Sequence, residues 1–314
     1  MEAPVYIVTG FLESGKTKFM EEMISDPDFS EGERTLLIVC EEGEEEYDET
    51  LLKKSNTVLV NLESPEDMAG DSLVKLDKQY LPERVLIEYN STWLLETLYK
   101  AKKPKNWELA QIITLIDATT FELYLKNMRK FMADGIQEGD LILFNRCTAD
   151  TPKSKWRRAA LAMNNTARII FENTDGTMED GVSDEDLPYD VKADPIQIGD
   201  TEFGIFYLDA MEHPDRYDGK RIRAKGRAFR MENMPKKCFV FGRHAMTCCV
   251  DDIGGIGYLC RYNDKLPDVK DWIWLTAKVE ASYSPLHGRD AIILLEDQIS
   301  PAEAPEEELV YFNN

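Results

Sequence analysis

The stretch Gly10-Phe-Leu-Glu13-Ser14-Gly15-Lys16-Thr17 sets two glycines, a lysine and a hydroxyl at the spacing G-x-x-x-x-G-K-T. Glycines let a backbone wrap so closely that its N–H groups point at a phosphate chain. A helix starting directly behind them adds its positive end. In that arrangement Lys16 meets the β- and γ-phosphates as a point charge, and the Thr17 hydroxyl is placed to bind Mg²⁺. Gly10, Glu13, Ser14, Gly15 and Lys18 complete the set expected to line a nucleotide. By composition alone the pattern arises in about one chain in a hundred of this length. The plainer reading is a glycine-rich turn that binds nothing.

Glu88 ends an apolar run, Arg84-Val-Leu-Ile-Glu88. A nucleotide enzyme keeps a carboxylate at such a place to organise the water shell of Mg²⁺, although ordinary acids also end strands. Lys16 and Glu88 are the expected catalytic pair. Asn145 and Arg146 end another apolar run, where an asparagine commonly meets a purine base and where turn asparagines are also frequent.

Such residues work only if a scaffold brings strand ends together. The runs 34–40, 56–61, 84–88, 110–117, 140–145 and 167–171 are continuously apolar, as strands buried on both faces are. Helical patterns over 16–25, 65–79, 91–101, 119–133 and 152–164 separate them. Alternation of this kind predicts right-handed crossovers and a doubly wound, mostly parallel sheet. Ligands then sit at the carboxyl ends of the strands, where Gly10, Glu88, Asp117 and Asn145 fall.

Residues 176–204 are acidic and punctuated by Gly and Pro, which reads as a linker. Beyond it the pattern changes to alternating runs at 220–230, 238–246, 272–280 and 291–296, without helices between them. A small all-β, OB-like barrel over 205–314 is the expectation.

The net charge of −22 opposes a polyanionic partner. Residues 207–314 hold 15 basic and 18 acidic residues, a net of −3, so the first 206 carry −19. The basic stretch 220–237 could serve as a nucleic-acid face, but docking on the acidic domain is preferred and no nucleic acid is expected. No apolar run spans a membrane and no leader pattern opens the chain, so a cytoplasmic protein without membrane insertion is expected. The six cysteines are scattered and are expected to be thiols or metal ligands. His244, Cys248 and Cys249 form the one dense soft-metal candidate, with Zn²⁺ the ion in view. The competing reading makes the cysteines core residues and His244 a surface residue.

Over residues 1–175 the chain resembles the CobW family of P-loop GTPases, a group associated with metal insertion and zinc homeostasis. The family loop G-F-L-G-x-G-K-T aligns with Gly10–Thr17, its N-E-x-G-x-x-x-x-D with Cys40-Glu41-Glu42-Gly43 leading to Asp48, its E-x-x-G with Glu88–Ser91, and its N-K-x-D with Asn145–Thr148. Three departures stand out. The C-x-C-C metal motif is replaced by the glutamate run Glu41–Glu46, which reads as a solvated surface. Ser91 stands for the γ-phosphate-sensing glycine. Thr148 stands for the aspartate that pairs with guanine, and a hydroxyl cannot accept two such bonds. Residues 205–312 resemble the soluble C-terminal domain of an uncharacterised bacterial membrane-protein family paired with a predicted permease. That likeness lies in Tyr217-Asp-Gly219-Lys220, Arg243-x-x-Met246-x-Cys248-Cys249-x-x-Asp252 and Pro305…Tyr311.

The resemblance implies GTP hydrolysis with Mg²⁺ held by Thr17 and Glu88, coupled to metal trafficking or homeostasis. A metal-receiving protein or a permease is the implied partner. The alternative is a nucleotide-gated adaptor that regulates a permease and scarcely hydrolyses.

Overall fold

The apolar runs of the first half become a single sheet. In the computed structural model its strands are β1 (Ala3–Gly10), β2 (Thr35–Val39), β3 (Thr57–Asn61), β4 (Arg84–Asn90), β5 (Trp107–Asp117), β6 (Leu141–Cys147), β7 (Arg168–Asn173) and β8 (Met178–Glu179). Their spatial order is β3-β2-β4-β1-β5-β6-β7-β8. Strands β1 to β7 are parallel and β8 folds back antiparallel on β7. The structure describes residues 2–30, 32–41, 43, 46–68, 70–181, 187–230, 234–246, 253–263, 271–284 and 289–312.

Both faces of this sheet are covered, which is why its strands lack alternation. Ile7, Leu36, Ile38, Val85 and Ile87 pack one face against Met68, Leu73 and Leu95. Val8, Leu37, Leu86 and Leu115 pack the other against Met20, Ile24 and Leu52. Burying that much aliphatic surface supplies the main folding drive, at about 25 cal/mol per Å² of apolar area.

Several helical runs are broken where one continuous helix is predicted. The 65–79 run divides into a 3₁₀ turn, Pro65–Met68, and a helix, Ser72–Tyr80. The 91–101 run divides into Ser91–Trp93 and Leu95–Lys100, with Leu94 between them at φ 55°. The 119–133 run becomes Phe121–Asn127 and Arg129–Glu138. Periodicity of apolar residues survives such breaks, so it cannot reveal them.

The second half builds an all-β sheet from β9 (Ile196–Gln197), β10 (Arg221–Phe229), β11 (Cys238–Met246), β12 (Ile253–Arg261), β13 (Trp272–Ser284), β14 (Arg289–Pro301) and β15 (Val310–Tyr311). Strand β10 pairs antiparallel with both β11 and β13, β12 pairs parallel with β14, and β13 pairs antiparallel with β14. Five strands therefore close into a ring, the OB-like barrel the alternation predicts. Along β10, Ile222, Ala224, Gly226 and Ala228 are buried and alternate with Arg221, Arg223, Lys225 and Arg227. Of the elements of this half that escape the sequence reading, two are longer than four residues. Glycines 254, 255 and 257 dilute β12 below recognition, and the helix Phe203–Glu212 lies against the barrel with Gly204 close to Val310 and Phe312.

By its contacts the chain separates into Met1–Lys153 with Met163–Val182, and Ser154–Ala162 with Ser183–Asn314. Within 176–204, β8 joins the first sheet and β9 pairs parallel with β10. Tyr189 is buried, its hydroxyl 2.7 Å from that of Tyr217, which in turn donates to Asp209 at 2.5 Å.

Candidate functional site

At the carboxyl end of β1 the chain leaves the sheet through Gly10, at φ 152°. A Cβ there would lie 2.4 Å from the Leu115 carbonyl oxygen and 2.7 Å from Ser14 Oγ, so only glycine fits this turn. The loop ends at Gly15, left-handed at φ 88°, and the helix Lys16–Ser25 starts there. Its first backbone N–H groups consequently face the cradle.

Lys16 is buried, 3% exposed, and its ammonium donates to Gly10 O at 2.9 Å, Phe11 O at 3.0 Å and Glu41 Oε2 at 2.6 Å. Thr17 Oγ1 donates to Glu88 Oε1 at 3.3 Å. Glu88 lies beside Val8 of β1 in the parallel register, which brings the second carboxylate to the loop. The Tyr47 hydroxyl donates to Glu88 Oε2. Burial lifts the Glu88 carboxyl above the usual range, opposed by the Tyr47 hydrogen bond, the Lys16 charge and the Thr17 hydrogen bond. Burial and the neighbouring carboxylate likewise push the Tyr47 phenol up, so it remains a donor.

Asn145 Nδ2 donates to Ser14 O at 2.7 Å, and Arg146 Nη1 donates to Glu13 O at 2.8 Å while pairing with Asp117. These two residues thus fasten the loop to β6 and β5. Among the described residues Ser14 Oγ and Asn145 Oδ1 are buried without a hydrogen-bond partner, and a bound ligand is one way to satisfy them. The hydroxyl and carboxylate of Thr17 and Glu88 are the hard oxygen donors that Mg²⁺ takes, with room left for phosphate and water. The residues fit that ion.

Lys18 is the outlier among the expected nucleotide contacts. Its side chain is exposed and its ammonium lies 3.9 Å from Glu22, one turn along the same helix. Thr148 faces Thr151, whose Oγ1 accepts from the Thr148 N–H at 2.9 Å. Glu41, read as part of a solvated run, instead closes on Lys16; Glu42, Glu44 and Glu45 lie outside the described residues. Tyr47 is a site residue that the sequence reading does not offer, and Asp117, expected only among the strand ends where ligands sit, pairs with Arg146. Nothing in the spacing marks Tyr47. Asp117 shows in the sequence only as an acid ending an apolar strand.

Glu13 holds a left-handed φ of 64° where the resembling family places glycine. Such a conformation costs a non-glycine residue about 1–2 kcal/mol, partly offset by the extra unfolded-state freedom of glycine. Glu13→Gly is therefore expected to raise stability by roughly 0.5 kcal/mol and to tighten nucleotide binding about fivefold by removing one negative charge. Thermal melts and a binding titration check both.

In the second unit Arg243, from the most specific part of the C-terminal likeness, is a buried structural residue, 1% exposed. Its guanidinium donates to Asp200 O at 2.7 Å and Glu307 O at 2.6 Å and lies over the rings of Phe203 and Trp272. His244 is exposed on β11 against the Phe229 ring. Cys248 and Cys249 lie outside the described residues, and no group of three metal-ligating side chains occurs among the described ones. Cys238 and Cys260 are buried, and burial holds the Cys260 thiol protonated. Cations of the basic stretch meet carboxylates of their own unit: Arg221 with Asp194 at 2.8 Å, Lys225 with Asp200 at 2.7 Å and Arg227 with Glu308 at 2.9 Å. Among the described residues no helix is long and apolar enough to cross a membrane.

Residues 175–312 match the model of the DUF1980 C-terminal domain. No curated protein matches the chain. Among solved structures, zinc-bound YjiA GTPase from E. coli is 18% identical with a TM-score of 0.41, over 87% of this chain and 92% of that one. The hydrogenase maturation factor HypB from Archaeoglobus fulgidus is 14% identical with a TM-score of 0.36, over 55% and 82%. HypB from Helicobacter pylori in complex with nickel is 14% identical with a TM-score of 0.32, over 53% and 78%. The CobW/HypB/UreG nucleotide-binding domain model matches residues 4–171, from the first sheet strand through the last parallel one and so across more than half of the chain. This chain belongs to the CobW/HypB/UreG family.

Proposed function

We propose that the chain is a nucleotide-dependent switch that hydrolyses GTP and couples that cycle to metal trafficking. Residues 1–175 would bind the nucleotide and 205–314 would carry the response, with 176–204 between them. The observation that carries this reading is the convergence of Lys16, Thr17 and Glu88 at the mouth of a loop that only glycine at position 10 allows. Lys16 would neutralise the β- and γ-phosphates, and the backbone N–H groups of the loop and of the helix start would hold their oxygens. Thr17 and Glu88 would hold Mg²⁺, which when bound would offset the charge of the phosphates. Asn145 and Arg146 would keep the loop in shape beside the base. Thr148 takes away roughly 10- to 100-fold of guanine discrimination, the worth of one bidentate pair. A metal-receiving protein or a permease is the partner in this reading.

A nucleotide-gated adaptor with little turnover is the second reading, and Ser91 favours it. The serine is buried, its hydroxyl has no hydrogen-bond partner among the described residues, and it stands where the resembling family senses the γ-phosphate with glycine.

The test is binding of labelled GTP and ATP to the full chain, with and without Mg²⁺ and Zn²⁺, followed by product analysis. Mg²⁺-dependent binding with turnover supports the switch. Binding without turnover supports the adaptor. Neither reading survives if no nucleotide binds.

A further inference from the structure

Opposite the face that carries the helix Lys16–Ser25, the first sheet leaves an apolar cavity of about 200 Å³. Ile7, Ile87, Leu73, Leu98 and Trp107 line it, and Lys103 stands at its mouth. The Trp107 ring is fixed there by its indole N–H, which donates to Asp77 at 2.9 Å. A dry cavity of about 150 Å³ lined by aliphatic and aromatic side chains suffices to take up benzene. This one therefore has room for an aromatic ring with a short alkyl extension.

The mouth is marked by charge. Lys100, Lys102, Lys103 and Lys105 place four lysines in six residues of a strongly acidic domain. Lys100 pairs with Glu96 and Lys102 with Asp71, each at 2.6 Å. Lys103 is exposed and has neither an ion pair nor a hydrogen bond among the described residues. An apolar floor with one unmatched cation at its rim selects a molecule with an apolar body and a single anionic end.

We propose that this cavity binds a small aryl-alkyl carboxylate, the ring against Trp107 and the carboxylate at Lys103. The probe is 3-phenylpropionate, titrated calorimetrically into the full chain alongside the cationic 3-phenylpropylamine, with the change in total tryptophan fluorescence as a second readout. The carboxylate is expected to saturate on the order of a millimolar or below, and the amine to bind at least about fivefold more weakly. Lys103→Glu, at an exposed position, is expected to abolish or reverse that preference. Leu98→Trp, verified as folded by circular dichroism, is expected to remove binding of both. Equal binding of the two probes, binding unchanged in both variants, or no saturation by the carboxylate overturns the proposal.

Discussion

Lys16→Ala is expected to weaken nucleotide binding by roughly 10- to 100-fold, the worth of the one charge-assisted hydrogen bond that the third donor of the ammonium can give a phosphate, about 1.5–3 kcal/mol. The ammonium is already positioned by the carbonyls of Gly10 and Phe11, at 2.9 and 3.0 Å, so little ordering remains to be done when phosphate arrives. Its third contact, Glu41 at 2.6 Å, occupies the direction a phosphate oxygen needs. A carboxylate in that place is a competitor, and nucleotide must displace it. Removing Lys16 also leaves Glu41 and Glu88 without their cation, so the site turns from mixed to acidic and repels a polyanion. Glu41→Gln should move affinity the other way, about five- to tenfold tighter, because the ion pair to be broken is gone while the shape is kept. Equilibrium titration with labelled nucleotide reads both variants. Undiminished binding by Lys16→Ala would mean that the loop holds no phosphate. Weaker binding by Glu41→Gln would mean that Glu41 assists the ligand and does not compete with it. Lys16→Arg is no substitute control, since a planar fork cannot fit among the two carbonyls as a compact ammonium does.

The parts of this site legible in sequence are those whose chemistry is local. Gly10, Gly15, Lys16 and Thr17 lie within eight residues, so their spacing can be read directly. Glu88 could be placed because a parallel strand ends in it, and the register of β4 on β1 does the rest. Glu41 and Tyr47 reach the same spot through a loop between β2 and the helix Glu49–Lys54, and no periodicity reports where a loop folds. The run Glu41–Glu46 looks like solvated charge because that is what most acidic runs are. A single contact with a buried lysine changes the meaning of its first member. Likewise the barrel was legible from four alternating strands, while β12 hid behind its glycines. Its residue 257 needs that absence of side chain, since a Cβ there would stand 2.3 Å from the Phe241 carbonyl oxygen.

Arg243 enters the sequence reading only as part of the C-terminal likeness, and its burial assigns it to the core. Arg243→Met is expected to destabilise the second unit by about 3–5 kcal/mol, the usual cost of deleting one partner from a buried charged network. The guanidinium ties three segments together: Asp200 before the helix Phe203–Glu212, the β11 strand that bears it, and Glu307 ahead of β15. Methionine fills much of the volume but donates nothing, so the carbonyls of Asp200 and Glu307 lose their donors. The Asp200 carboxylate is partly exposed and keeps its contact with Lys225 at 2.7 Å, but it loses the Arg243 guanidinium, 3.8 Å from its Oδ1, along with the cation–ring contacts. Arg243→Lys should recover less than half of the stability, because a point charge cannot donate in two fixed directions at once. Hydrogen exchange across Cys238–Met246 is the local measurement, and the β11 amides should exchange at least about 100-fold faster in Arg243→Met. Lys225→Met provides the contrast, since that residue makes one ion pair at the rim and its loss is expected to cost about 1 kcal/mol or less. If the two variants exchange alike, the buried fork is not what holds the N-terminal segment and the C-terminal strand to the barrel.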